Sequence, residues 1–300
     1  MATTEQRAVG GGRPVLVTGS SSGIGEACMD RLHAAGFRVL AGVRNEAGAE
    51  YVRRRHDGAV QAVVFDVGVL DQVGEAVDAV RETLGGTSLW GLVNCAGTVV
   101  PGPIELLEAG DWQRQFDVNV FGQVALIRGC LEMLRASHGR IVNISSINGV
   151  VAKPYIGAYC ASKHALEGLS DALRMELVPA GIRVVVVEPG SVRTPIWSKA
   201  AGALRSVSER ASVDGRARYG QVFSLLARGT SVREGAAPSS ANDVAAAVLG
   251  ALTAASPRAR YVVGRDAHLQ RLLRAILPAE MLDALILRKI RNEVAGQTHA

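Results

Sequence analysis

The sequence predicts a single α/β domain, doubly wound, with about seven parallel strands flanked by helices. Three observations predict it. Short valine-rich runs alternate with longer amphipathic stretches along most of the chain. A glycine-rich turn joins the first such run to the first amphipathic stretch. The composition is 48% hydrophobic but only 4% aromatic, so the core must be built from Ala, Val and Leu. Small aliphatic side chains let helices pack closely on a parallel sheet buried on both faces. Strands alternating with helices at this pitch require right-handed βαβ crossovers.

The elements follow in order. Residues 1–12 are polar and glycine-rich and are expected to form a disordered tail, with the main domain over 13–265. Strands are expected at 14–18 (PVLVT), 38–43 (RVLAGV), 59–65, 89–93, 140–144 (RIVNI), 182–187 and 260–263. Helices are expected at 23–35, 46–56, 70–84, 111–135, 155–178 and 241–254; Val73, Val77, Val80 and Leu84 recur at helical spacing in the third. Residues 191–240 break the rhythm, contain no strong strand and read as an extended substrate loop. Residues 266–300 read as a C-terminal helical extension of two amphipathic helices split by Pro278.

The net charge of +5 is unevenly spread: residues 1–192 hold 17 basic and 20 acidic side chains, residues 193–300 hold 16 and 8. The basic residues are scattered without interleaved aromatics, which excludes a nucleic-acid partner. No run reaches the length of an integral membrane span, although the basic C-terminal third is compatible with peripheral membrane contact. Cys28, Cys95, Cys130 and Cys160 form no CxxC pair, and the expectation is reduced thiols in a cytoplasmic protein. The six histidines form no metal-binding pattern, and no G-x-S-x-G elbow is present.

Two segments carry chemistry. Gly19, Ser21, Ser22, Gly23, Ile24 and Gly25 form a glycine-rich turn between the first strand and the first helix. Glycines allow close backbone approach to a pyrophosphate, and the helix N-terminus offers free N–H groups and a positive dipole end. Tyr159 and Lys163, four apart on a helix, share one face. A nearby ammonium favours the phenolate and is expected to pull the phenol towards neutrality, where it serves as general acid or base. Ser146, just past the strand RIVNI, lies where the ligand crevice of a doubly wound sheet opens and is positioned to bond a substrate oxygen. Asn119 interrupts an amphipathic helix; it is expected to disturb the helix locally and to hold a water leading to Lys163.

The turn reads T-G-x-x-x-G-I-G. Together with Asn119, Ser146, Tyr159 and Lys163 in this order and spacing, it resembles the short-chain dehydrogenase/reductase family, densely over residues 14–195. The resemblance implies a Rossmann-type fold and an active-site tetrad made of those four residues. It implies that Asp66, with Val67 after it, lies beside the adenine ring. Asn94-Cys95-Ala96-Gly97 stands where the family has N-N-A-G, and the Cys95 departure is expected to affect packing more than catalysis. Pro189, Gly190, Val192 and Thr194 match the family's P-G segment, in which Thr194 would hold the nicotinamide carboxamide. The resemblance also implies a homodimer or homotetramer built on the helices carrying Asn119 and Tyr159.

The second strand ends at Val43 followed by Arg44, where an acid would favour NAD(H). A guanidinium pairs with a 2′-phosphate instead, which favours NADP(H). Relatives preferring NADP often carry a basic residue where this chain has Ser22. The stretch 154–187 with its E-P-G follow-on looks most like the retinol and hydroxysteroid dehydrogenase branch, implying an apolar ketone or alcohol substrate of steroid, retinoid, fatty or polyketide type. Ile196, Trp197, Leu204, Val222, Phe223, Leu225 and Leu226 are candidates for its pocket walls or for simple packing of small helices. The C-terminal helices are read as a pocket cover, a subunit interface or a membrane-surface element. Two alternatives stand beside this reading: an NAD-linked alcohol dehydrogenase, and a non-catalytic nucleotide-sensing protein.

Overall fold

The computed structural model describes residues 9–86 and 88–295. Its strands are β1 (Pro14–Thr18), β2 (Arg38–Val43), β3 (Gln61–Val64), β4 (Gly91–Asn94), β5 (Arg140–Ile144), β6 (Arg183–Pro189), β7 (Val192–Arg193), β8 (Ser239–Ser240) and β9 (Arg260–Val263). Its helices are α1 (Gly23–Ala34), α2 (Glu46–Arg55), α3 (Leu70–Leu84), α4 (Ala109–Phe116), α5 (Gly122–Arg135), α6 (Gly157–Glu176), α7 (Ile196–Arg210), α8 (Val213–Ala236), α9 (Ala241–Thr253), α10 (Arg265–Ile276) and α11 (Ala279–Ala295).

Seven strands form one sheet in the order β3-β2-β1-β4-β5-β6-β9, and every pairing is parallel. The central strands β1, β4 and β5 are buried at every position, while the edge strands β3 and β9 are partly open. That gradient is what helices on both faces produce. Alternate side chains of β1 feed two cores. Val15 and Val17 pack with Cys28, Met29 and Leu32 of α1 and Val244, Val248 and Leu252 of α9. Leu16 packs on the other face with Val77 and Val80 of α3 and Leu126, Ile127 and Leu134 of α5. The chain runs outwards from β1 to β3, then returns to set β4 on the other side of β1. A crevice therefore opens between the C-terminal ends of β1 and β4.

Three expectations are refined. The helix expected over 111–135 is two helices joined by a π-helical turn, Asp117–Phe121, which holds Asn119 at its centre, where a local disturbance was expected. The extended loop expected at 191–240 is mostly helical, α7 and α8; it has no long strand, and the two-residue β7 and β8 pair in parallel, Val192 with Ser239 and Arg193 with Ser240, and clip the insertion at its base. Within the expected tail, residues 1–8 lie outside the described residues. Residues 9–12 form a turn whose Gly10 N–H donates to Ala35 O (2.8 Å) and Gly12 N–H to Gly36 O (2.8 Å). Paired backbone donors replace the water that a free tail would bond.

Gly122 opens α5 where that helix crosses the loop after β3. A Cβ built there overlaps the carbonyl oxygen of Val67. A backbone carbonyl cannot rotate away, so Gly122→Ala is expected to destabilise the fold by about 1–3 kcal/mol despite alanine's better helix propensity. Gly74, inside α3 with open space around its Cβ direction, supplies the control: Gly74→Ala is expected to stabilise by up to about 1 kcal/mol. Urea unfolding midpoints of the two variants check both signs.

Candidate active site

The ends of β1 and β4 are bound together by one hydroxyl. Thr18 Oγ1 accepts N–H bonds from Cys95 and Ala96, each 2.9 Å. Gly19 then turns with φ 70°, and a Cβ on it would lie 3.0 Å from Ala96 Cα. Ser20 N–H donates to Gly42 O (3.1 Å) and Ser20 Oγ to Val17 O (2.7 Å), which tie the turn to the sheet. Gly23 has φ 63° and faces the Thr194 side chain, 3.3 Å from where a Cβ would sit. A Cβ on Gly25 would overlap Gly19 O. Ile24 packs against the core below. Ser22 precedes α1 but its side chain makes no cap bond, so the first-turn N–H groups keep their donors for a ligand. A backbone cradle with no room for side chains and with free donors fits the diphosphate of a dinucleotide.

Towards the β2 edge, Ser21 lies beside Gly48 of α2, and Asn45 caps that helix by accepting from Gly48 N–H (3.0 Å). Arg44 is exposed and makes no hydrogen bond or ion pair among the described residues. Asp66 Oδ1 accepts from Gly68 N–H (2.9 Å), holding the turn after β3, and Val67 is buried. Asn94 is fully buried; its Nδ2 donates to Asn143 Oδ1 (2.9 Å), while its own Oδ1 has no partner among the described residues. An orphan acceptor at the crevice floor is a further place for a ligand donor.

The tetrad side chains gather on the β5 side. Lys163 Nζ donates to Ile144 O at the end of β5 (2.8 Å) and lies 5.9 Å from the centre of the Tyr159 ring. Ser146 Oγ accepts from Asn148 N–H (3.1 Å), which fixes the hydroxyl at the start of a short 3-10 turn. Asn119 Oδ1 accepts from Thr98 N–H (2.9 Å), and its Nδ2 donates to Thr98 O (3.1 Å) and Ser162 Oγ (3.0 Å). Gly97 leaves the gap in which Asn119 and Lys163 meet: a Cβ there would lie 3.6 Å from Asn119 Oδ1 and 4.0 Å from Lys163 Nζ. Asn119 thus holds the Thr98 backbone and Ser162 directly.

The expected electrostatics are also corrected. Burial pushes the Tyr159 phenol up to about 12; the Ser146 hydroxyl opposes that rise and Cys160 adds to it. Burial pulls Lys163 down to about 8, with Cys95 and Glu167 opposing. Desolvation of the ring in its apolar cluster is the largest cause of the rise. The phenol in this arrangement is a buried, protonated donor.

Tyr159 sits in an apolar cluster with Val99, Ile156, Cys160 and Ala200, under Ile196 and Trp197. The Trp197 ring stands edge-on to Tyr159 at 6.4 Å. Leu204, Val222, Phe223 and Leu226 instead form a separate cluster with Val100 and Leu107, which packs the insertion onto the domain. Leu225 is buried outside both. Thr18, the first residue of the T-G-x-x-x-G-I-G turn, gains its role from two distant backbone donors. A residue outside every motif also supports the site: Asp266 of α10, whose Oδ2 accepts from Ser191 N–H (2.8 Å), and whose carboxylate fills the space a Cβ on Gly190 would need. This holds the Pro189–Val192 segment. The inner face of α10 and α11, through Ala267, Leu273, Leu282 and Ile286, packs on Ile147 and Val151 and braces the Ser146 turn. All four cysteines are free thiols.

The buried ammonium makes stability depend on pH. An unfolded lysine keeps its ordinary value of 10.5, while folded Lys163 is lowered to about 8. Between these values the unfolded chain binds a proton that the folded chain does not, so stability rises with pH. The unfolding free energy of the cofactor-free protein, minus that of Lys163→Met, is expected to climb from pH 8 to pH 10.5 and to stay flat below pH 8. Denaturant titrations across that range measure it; a flat difference throughout would mean the ammonium is not desolvated.

Residues 13–203 match the short chain dehydrogenase family. An NADPH-dependent 3-dehydrocapnine reductase of Ornithobacterium rhinotracheale is 33% identical over 286 residues, covering 93% of this chain and 98% of the relative. Retinol dehydrogenase 16 of Mus musculus is 35% identical over 277 residues, covering 91% and 87%. A short-chain dehydrogenase crystal structure from Streptomyces avermitilis superposes with a TM-score of 0.71 at 26% identity, covering 95% and 97%. The cradle at β1 and the gathered tetrad thus coincide with sequence kinship along the whole chain, and this protein belongs to the short-chain dehydrogenase/reductase family, in the retinol and hydroxysteroid dehydrogenase branch, as an oxidoreductase of the alcohol/carbonyl pair.

Proposed function

We propose that the protein is an NADP(H)-dependent reductase of an apolar ketone, interconverting it with the secondary alcohol. The observation that carries this reading is the burial of the Tyr159 phenol near the Ser146 hydroxyl and 5.9 Å from the Lys163 ammonium, packed against Ile196 and Trp197. The crevice between β1 and β4 would hold a reduced nicotinamide, whose chemistry when bound would be hydride donation to the carbonyl carbon. Tyr159 donates its proton to the carbonyl oxygen as charge builds there, and Ser146 donates a hydrogen bond that orients that oxygen. Lys163 holds its ammonium between Ile144 O and the gap over Gly97, ready to bond the cofactor ribose and to stabilise the phenolate left after transfer. Asn119 positions Thr98 and Ser162 and so keeps the floor of that gap in place. Gly19–Gly25 would hold the diphosphate, Asp66 and Val67 the adenine, and Asn94, Ala96, Gly97, Pro189, Gly190, Val192 and Thr194 the nicotinamide half of the cofactor.

NADP(H) is supported by the unpartnered Arg44 guanidinium at the end of β2, with no carboxylate there to repel a 2′-phosphate. The relative named as NADPH-dependent agrees. An apolar substrate is supported by the side chains around Tyr159 and by the relatives named retinol dehydrogenases.

Turnover is read from loss of the reduced-nicotinamide absorbance with NADPH or NADH against a panel of steroid, retinoid and fatty ketones. NADPH is expected to be consumed faster at limiting cofactor, and Arg44→Asp to reverse that preference. Tyr159→Phe is expected to lower kcat by about 10²–10⁴-fold with the fold intact. Tight cofactor binding without turnover on any ketone or alcohol would sink the reductase reading in favour of a nucleotide sensor.

A further inference from the structure

Lys199 has no part in the chemistry above. Of the 33 Lys and Arg side chains only four are lysines, and this one projects from the first turn of α7. Its Nζ donates to Ser22 Oγ at 2.7 Å, across 177 residues of sequence. An exposed lysine normally keeps its stem mobile and its ammonium in water, because ordering the stem costs rotamer entropy. Among the described residues no ion pair compensates; the partner is a neutral hydroxyl. Ser22 immediately precedes α1, whose N-terminus is the positive end of its dipole. The fold therefore brings a cation to a place that is already positive. An anion between them turns that repulsion into two attractions.

The same short segment reaches the reacting phenol. Thr194 and Pro195 pack against Gly23, and Ile196 and Trp197 lie over Tyr159. One turn of chain thus touches the phosphate cradle at one end and the roof of the active site at the other.

We infer that Lys199 is a ligand for a phosphate of the dinucleotide, delivered by α7, so that phosphate binding clamps the Thr194–Ala200 segment over Tyr159. This rests on the reading of the Gly19–Gly25 turn as a dinucleotide cradle but not on the preference for NADP(H). The recognised chemistry is a phosphate oxygen, either of the diphosphate or of the 2′-phosphomonoester.

The test titrates the full chain, Lys199→Met and Lys199→Arg with NADPH and with NADH, reading the dissociation constant from nicotinamide fluorescence. Closure is read from amide hydrogen exchange over residues 194–200. Lys199→Met is expected to weaken binding about tenfold, as for loss of a charge-assisted hydrogen bond at an exposed site. It should also abolish cofactor-induced protection of 194–200, whereas Lys199→Arg retains most of both. The cofactor-free melting temperature should not change, which separates a ligand role from a folding role. Equal losses for the two cofactors assign the diphosphate; a loss confined to NADPH assigns the 2′-phosphate. Unchanged affinity for both cofactors, or equal protection in the methionine variant, overturns the inference. Failure of the NADP(H) reading looks different: the wild-type chain would bind NADH as tightly as NADPH while the effect of Lys199→Met on NADH persisted.

Discussion

The shared hydroxyl of Thr18 is the constraint on which the site depends. Neighbouring strands of a parallel sheet that lead to opposite faces must part at their C-terminal ends, and the parted backbone loses its ladder bonds. Thr18 Oγ1 takes up two of those donors, from Cys95 and Ala96. It thereby sets the distance between the Gly19 turn and the Asn94–Gly97 turn to backbone contact. With those two turns fixed, the free N–H groups of α1 and the orphan acceptor of Asn94 border one crevice.

The tetrad relies on a second economy, in which backbone and side chains bond one another so that few reacting groups are left loose. Asn119 is tied at both ends of its amide, and the π-helical turn around it is the backbone cost of that placement. Lys163 is tied to Ile144 O. Tyr159 is buried among apolar side chains and keeps its proton. A lysine and a phenol thus share one buried pocket, both desolvated, with the lysine lowered and the phenol raised.

The C-terminal helices work at this site from outside it. Asp266 secures the segment after β6, and apolar contacts from α10 and α11 brace the turn bearing Ser146. A buried carboxylate, Glu188, ties the arrangement further, paired with Arg260 on β9 and Arg271 on α10. The outer face of the same helices still exposes Leu269, Leu272, Ile276, Met281 and Leu285. Its inner face is what the active site uses.

The chain by itself determined the strand and helix alternation, because period and glycine placement are local: β1, β2, β5, β9 and α3 fall where the residue pattern puts them. It also determined the glycine turn after β1 and the placing of Tyr159 and Lys163 on one helix face, since both depend on short local spacings. Tertiary structure alone decided what depends on distant partners. A disturbance at Asn119 was legible, but its partners, Thr98 and Ser162, were not. The phenol is raised because burial, which no local spacing encodes, desolvates it. Lys199 reaches Ser22, and Asp266 reaches Ser191, only because the doubly wound sheet brings chain ends together at one crevice. Local geometry can be read along a sequence; desolvation and long-range hydrogen bonds arise only once the chain has closed on itself.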